Sequence, residues 1–267
     1  MVSHGDSDDE AIEPGVSEAL PVWRLDLVYQ GTAFHGWARQ PGLRTVEGVL
    51  GGALALILRE PVRLSVAGRT DAGVHASAQV ASFACSRRDV DPGNLRYSLN
   101  AVLPTEVAVT RVSPAAPGFA AREGRSRTYR YRLWLSPVKC VHNRAFVWDV
   151  RGEVDTGLLV KAAALLPGKR DFAALTPSAH QYHSCVRDIL GAAWAPSAGG
   201  DGTEWDFEIT AGSFLHNMVR VAVGSMVDVA QGRMTLGGFA EALAAGHRRD
   251  MGQTAPARGL ALVAVEY

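Results

Sequence analysis

The sequence predicts an α+β fold in which two similar α/β lobes share a mainly antiparallel mixed sheet, with a central basic cleft between them. Three observations lead there. Runs of strict apolar alternation are interleaved with runs of helical period along both halves of the 267 residues. The order of helix, paired strands and helix recurs in the second half, and few of the strand runs are joined by tight hairpins. With 47% hydrophobic residues the chain can bury a substantial core without disulfide staples.

Residues 1–20 form an acidic tail expected to be disordered, with Asp6, Asp8, Asp9, Glu10, Glu13 and Glu18 and no Lys or Arg. An N-terminal lobe is expected over 21–135 and a C-terminal lobe over 136–267. Trp23, Leu25, Leu27 and Tyr29 alternate with charged residues and give a first strand with one buried face. Thr45 can cap a helix from Val46 to about Leu58, in which Gly48, Gly51 and Gly52 each cost about 1 kcal/mol. Val62, Leu64 and Val66 read as a strand, as do Val80, Ser82 and Phe83. Asp91-Pro92 is an N-cap followed by proline at the first helical position, so a helix should run to about Leu99. Val107 to Val112 is the next strand, and Arg122 to Leu135 a long alternating one. In the second half Asp155 caps a helix through Leu166, strands fall near Val186–Ile189 and Trp205–Ile209, and Ser213 starts an apolar helix to about Ala230. Thr235 starts a shorter helix to Ala245, and Leu260 to Val265 is a final buried strand.

Composition narrows the function classes. Cys85, Cys140 and Cys185 are odd in number and widely spaced, with no Cys-x-x-Cys pair, which fits a reducing cytoplasm and gives no disulfide framework or cysteine zinc site. The first twenty residues lack the basic start and apolar core of a secretory signal, and no apolar run reaches membrane-span length. Without the tail, 27 basic residues face 21 acidic ones, and Lys occurs only at 139, 161 and 169. An Arg-rich, mildly basic body permits a nucleic-acid partner. A bias toward Arg, Ala and Gly codons would give the same excess.

Three stretches carry chemistry. In Gly68-Arg69-Thr70-Asp71-Ala72-Gly73-Val74-His75, glycines bracket an acid and a base on a turn between strands, which is how a loop on a rigid scaffold presents a carboxylate. Arg69 is placed to keep Asp71 anionic, although an ordinary turn uses the same residue types. The strand Arg127-Thr128-Tyr129-Arg130-Tyr131-Arg132 interleaves cations and rings, as an RNA groove does and as a plain half-buried strand also can. In Phe214-Leu215-His216-Asn217-Met218-Val219-Arg220, His216 and Arg220 stand four apart on an apolar helix and would share a face lining a cleft. His180, His183 and Cys185 are metal-capable but lack a fourth ligand of suitable spacing.

Together with Gly36-Trp37-Ala38-Arg39-Gln40, Asn100-Ala101-Val102-Leu103-Pro104 and Gly259-Leu260, these motifs occur in an order that resembles the tRNA pseudouridine synthase A family, from Tyr29 to Tyr267. The resemblance implies the pseudouridine synthase fold and a metal-free, cofactor-free isomerase. Such an enzyme detaches uracil from its ribose and reattaches it through carbon 5, at positions 38–40 in the anticodon stem-loop of tRNA. It further implies that Asp71 is the catalytic carboxylate acting on a flipped nucleotide, that Arg69 pairs with it and helps extrude the base, and that Tyr129 stacks on the uracil and is the base for the proton at carbon 5. Arg220 would stand beside the aspartate. His216, Arg39, Arg127 and Tyr131 are the remaining expected substrate contacts, and a homodimer with the tRNA spanning both subunits is the expected assembly. The chain departs from the family's usual pattern at Phe119-Ala120-Ala121-Arg122, where a His or Asp is common, at Ala173-Ala174-Leu175, and in its acidic tail.

Two other classes use part of these residues. A non-catalytic RNA-binding module with two RNA-recognition-like lobes would explain the Tyr129 strand and leave the Asp71 loop unused. A glycosidase-like enzyme acting on a small nucleoside would explain Asp71 and leave the Arg-rich strand unused. Tyr129→Phe keeps the ring and removes the hydroxyl expected to act as base: it should fold and bind tRNA nearly as wild type while losing product formation, and a variant that unfolds would mark Tyr129 as core alone.

Overall fold

The computed structural model describes residues 20–198 and 203–267, so the tail predicted over 1–20 lies, apart from Leu20, outside the described residues. The strands are β1 (Val22–Tyr29), β2 (Ser65–Val66), β3 (His75–Ala84), β4 (Val107–Ala115), β5 (Ser126–Trp134), β6 (Trp148–Asp149), β7 (Gly168–Asp171), β8 (Val186–Pro196), β9 (Glu204–Ala211) and β10 (Leu260–Glu266). The helices are α1 (Val46–Leu58), α2 (Pro92–Val102), α3 (Thr156–Ala163), α4 (Met218–Ala230) and α5 (Leu236–Ala245). All ten strands form one mixed sheet in the order β4-β1-β3-β10-β5-β9-β8-β7, with β2 added beside β3 and β6 beside β5. Every pairing is antiparallel except β10 with β3 and β6 with β5.

The α+β class and shared sheet agree with the sequence reading, and the alternation that predicted the strands is visible in their burial. Trp23, Leu25, Leu27 and Tyr29 of β1 are buried while the residues between them are half-exposed. Caps form where the sequence placed them: Thr45 accepts from Gly48 N–H, Asp91 from Asn94, Asp155 from Leu158 and Thr235 from Gly238. α2 runs to Val102, past the expected Leu99, and the Asn100 side chain bonds both the N–H and the carbonyl of Val109, fastening α2 to β4.

Several elements differ from expectation: α3 stops at Ala163, short of Leu166, β2 is confined to Ser65–Val66, and β8 runs on to Pro196. β5 begins at Ser126 because Ala121–Glu123 closes into a single 3-10 turn instead of continuing the alternation. α4 begins at Met218 because Asn217 is left-handed, with φ +59°, and ends any helical path from Ser213. β10 pairs on one side with β3 and on the other with β5, so a strand from the second half of the chain lies between two strands of the first.

α4 is the core helix: every residue in it except Arg220 is buried. The segment carrying Gln253 and Ala255 crosses it so closely that a side chain at Gly224 would collide with the Gln253 carbonyl. Gly224→Ala must therefore push that segment away, and we expect a loss of about 1–3 kcal/mol, read as a lower midpoint in chemical denaturation.

Candidate active site

The loop between β2 and β3 is fastened from below before it presents anything. Thr70 Oγ1 lies 2.7 Å from the Tyr29 hydroxyl. The Gln79 amide donates both to that hydroxyl, at 3.1 Å, and to the Gly68 carbonyl, at 2.8 Å. Burial pushes the Tyr29 hydroxyl up to about 12, so it acts as a neutral hydrogen-bonding post. Trp37 N–H donates to the Thr70 carbonyl and Gly73 N–H to the Phe34 carbonyl, which explains why the aromatic stretch after β1 is no plain linker. Of the two bracketing glycines only Gly73 takes a left-handed angle, φ +80°, whereas Gly68 does not.

Fixed in this way, Asp71 turns toward the N-terminus of α4. Its Oδ1 lies 3.7 Å from His216 Nε2 and its Oδ2 4.0 Å from Arg220 Nη1. The Asn217 N–H also reaches it, so the carboxylate sits where the helix presents its positive end. Arg220 is itself held, donating to the Ala255 carbonyl at 2.8 Å and to Asn217 Oδ1 at 2.7 Å. His216 is held by Ser178, whose hydroxyl lies 3.0 Å from Nδ1, and by Tyr182, whose hydroxyl accepts from the His216 N–H.

These groups open onto a cavity of about 810 Å³ that Asp71, Tyr129, Phe214, His216 and Arg69 help to line, with apolar walls from Val66 and Leu215. Tyr129 rises from β5, between Ile209 and Leu262 in the ladder, and its ring meets Phe214 edge to face at 5.1 Å. Burial, with smaller contributions from Tyr29 and Asp71, holds its hydroxyl well above the ordinary tyrosine value.

Asp71, Tyr129, His216 and Arg220 therefore converge, and the other sequence candidates do not all join them. Arg69 is exposed at the cavity rim, and among the described residues no ion pair links it to Asp71. Thr70 between them is buried on Tyr29, and the groups facing Asp71 are Arg220 and His216 from the other half of the chain. Arg127 is buried and donates to the carbonyls of Ala67, Arg122, Gly124 and Gly212, so it braces the loop from the cavity wall with four of its five N–H donors committed to main chain. Tyr131 is fully buried with its hydroxyl on the Pro256 carbonyl. Arg39 is exposed and reaches back over α1 at Gly51, outside the cavity lining. Arg130 and Arg132 lie on the opposite face of β5, paired with Glu208 and Asp206. His216 and Arg220 do meet one carboxylate, although the four-residue helical spacing is not the reason, since His216 precedes the helix. Ser178, Tyr182 and the αL Asn217 were not picked out as site residues; a polar residue just before an apolar helix was the available signal for Asn217, and none marked the other two.

Burial raises the Asp71 pKa, and His216, Arg220 and the Asn217 N–H only partly offset it. Below the ordinary value of 3.8 folded and unfolded chains are both protonated there and the residue is neutral to stability. As pH rises the unfolded chain ionises first, so stability falls until the folded carboxyl has ionised as well. Asp71→Asn should accordingly raise Tm at pH 7 and lose that advantage near pH 3 in parallel melts; a lower Tm at pH 7 would show that the cations outweigh burial.

Comparison with known proteins agrees with the motif order. A family model described as tRNA pseudouridine synthase matches residues 28–122 and 162–267. The chain is 42% identical over 252 residues to tRNA pseudouridine synthase A of Solidesulfovibrio magneticus, covering 91% of this chain and 90% of that protein. It is 41% identical to the protein of that name from Corynebacterium glutamicum (91% and 88% covered) and 38% identical to that from Chlorobaculum tepidum (91% and 97%). A solved Cbf5-Nop10-Gar1 complex is similar at 10% identity with a TM-score of 0.33, covering 90% of this chain and 58% of that one, too distant to bear on the site. With the family model spanning most of both halves and relatives this similar along nearly their whole length, the chain belongs to the tRNA pseudouridine synthase family.

Proposed function

We propose that the protein isomerises uridine to pseudouridine at positions 38–40 in the anticodon stem-loop of tRNA, with Asp71 as the catalytic carboxylate acting on a flipped nucleotide. The observation that carries this reading is a half-buried carboxylate at a helix N-terminus, flanked by His216 and Arg220 and sharing a nucleotide-sized cavity with Tyr129. The names of the relatives support the substrate.

The chemistry needs the bond from ribose carbon 1 to uracil N1 to break and one to carbon 5 to form, after which carbon 5 gives its proton to a base, the role we assign to the Tyr129 hydroxyl with release to solvent, and N1 takes up one proton from solvent. Asp71, beside the Arg220 guanidinium and within reach of His216, can act in anionic form at the cavity wall. Tyr129 offers a ring to the flipped base; extrusion costs a few kcal/mol, and stacking on one aromatic ring returns about 1–3 kcal/mol. Arg220 fixes the carboxylate, and His216 completes its surroundings. Arg69, exposed at the rim without a carboxylate partner among the described residues, is available to a phosphate or to the gap left by the extruded base. No cofactor or metal is assigned a step. A homodimer working in the cytoplasm completes the proposal. Among the described residues no helix is long and apolar enough to cross a membrane.

Tritium release from tRNA carrying uridine labelled at carbon 5 tests the assignment. Wild type should release label, and Asp71→Ala should lose at least ~10³-fold in rate, the scale on which removing a catalytic group acts. Retained turnover in Asp71→Ala would remove Asp71 from the chemistry, and no release by wild type would remove the reaction.

A further inference from the structure

His75 ends the motif that begins at Gly68, yet nothing in the chemistry above uses it. It is 4% exposed, and both ring nitrogens are engaged by main chain. Nδ1 accepts the Gly31 N–H at 3.0 Å. Nε2 lies 3.0 Å from the Ala145 carbonyl and 3.1 Å from the Arg258 carbonyl. An N–H donates to Nδ1 only if Nδ1 carries no hydrogen, and two carbonyls converge on Nε2 only if Nε2 carries one. The partners thus assign a single state, the neutral imidazole with its hydrogen on Nε2.

The three backbone groups come from three places: the turn after β1, the segment before β6, and the entry to β10. Arg258 ties the last two together by donating from Nε to the Val147 carbonyl at 3.0 Å. Phe146 covers the imidazole, with ring centroids 4.8 Å apart. Asp71 is four residues upstream, and the intervening turn is closed by Val74 N–H on the Asp71 carbonyl. The imidazole therefore stands where the catalytic loop joins β3 and where chain from both halves meets.

We propose that His75 is a positioning residue for Asp71: as the neutral Nε2–H imidazole it pins the downstream end of the Asp71 loop to Gly31 on one side and to Ala145 and Arg258 on the other. A proton added at Nδ1 would set N–H against the Gly31 N–H and open that side of the pin. The charged groups on the elements packed around it are the Arg258 guanidinium and the exposed Arg144; no carboxylate contributes to its charge balance, and Asp71 itself faces α4. Burial accordingly favours the neutral ring.

The inference rests on Asp71 being the catalytic carboxylate, and its tests separate from that reading. In wild-type protein with 15N-labelled histidine, His75 should show an unprotonated Nδ1 and a protonated Nε2 at pH 7; the opposite tautomer or an imidazolium would overturn the proposal. His75→Asn can keep the acceptor and loses the donor, whereas His75→Gln can keep the donor and loses the acceptor. Each should fold, lose about 10- to 100-fold in kcat for tritium release and keep KM for tRNA within threefold. A kcat within twofold of wild type in both, or a loss carried wholly by KM, would overturn it. If neither variant folds, amide exchange in wild type decides: exchange at Gly31 and Val74 should accelerate as the His75 imidazole titrates while that of β1 does not, and unchanged exchange would overturn the proposal. Normal release by Asp71→Ala would remove Asp71 from the chemistry and leave the tautomer result standing. An inactive Asp71→Ala beside fully active His75 variants would sink the His75 role alone.

Discussion

The meeting of the Asp71 carboxylate with the first turn of α4 is the interaction on which the site depends. A carboxyl half-buried beside apolar walls resists ionisation, and the protein answers with a helix terminus, the Arg220 guanidinium and the His216 imidazole arriving from the other half of the chain. Neither side arranges itself. The loop is shaped by Tyr29, Thr70 and Gln79 beneath it, and Arg220 and His216 are held by Asn217, Ala255, Ser178 and Tyr182. The charged groups are therefore fixed by neutral ones, which lets the site keep its geometry whether or not it is filled.

Arginine is divided among three tasks that the sequence does not tell apart. Arg127 is a buried brace for four carbonyls, Arg130 and Arg132 form a ladder with acids on the far face of the sheet, and Arg220 alone of these stands by the carboxylate. The same residue type at alternate positions of one strand thus serves packing on one side and a surface charge lattice on the other.

Much of the fold was legible because its signals are local. The caps at Thr45, Asp91, Asp155 and Thr235 and the alternation in β1 and β5 each depend on a few neighbouring residues, and they appear where the sequence puts them. Asp71 was legible as the presented acid for the same reason, with glycines on either side of it. What could not be read locally depends on distance. Arg69 lies two residues from Asp71 in sequence, yet the groups that face the carboxylate are the side chains of His216 and Arg220. The helix start slipped from Ser213 to Met218 because an asparagine in the left-handed region looks, in sequence, like any polar residue on a helix. The short strands β6 and β7 carry no alternation of their own and exist because β5 and β8 offer them an edge.

The place of β10 in the sheet bears on the order of assembly. Its two neighbours, β3 and β5, belong to the first half of the chain, yet they are not joined to each other until residues 260–266 lie between them. Loop closure of that span comes before the contacts that reward it, so the centre of the sheet is the slow part to build. Until it closes, β3 and β5 both carry an unpaired edge beside the catalytic loop. An intermediate with two open edges at its middle is prone to pair with the wrong strand, its own or another chain's. The element that joins the halves of the finished protein is thus also the one whose absence leaves a folding chain most exposed.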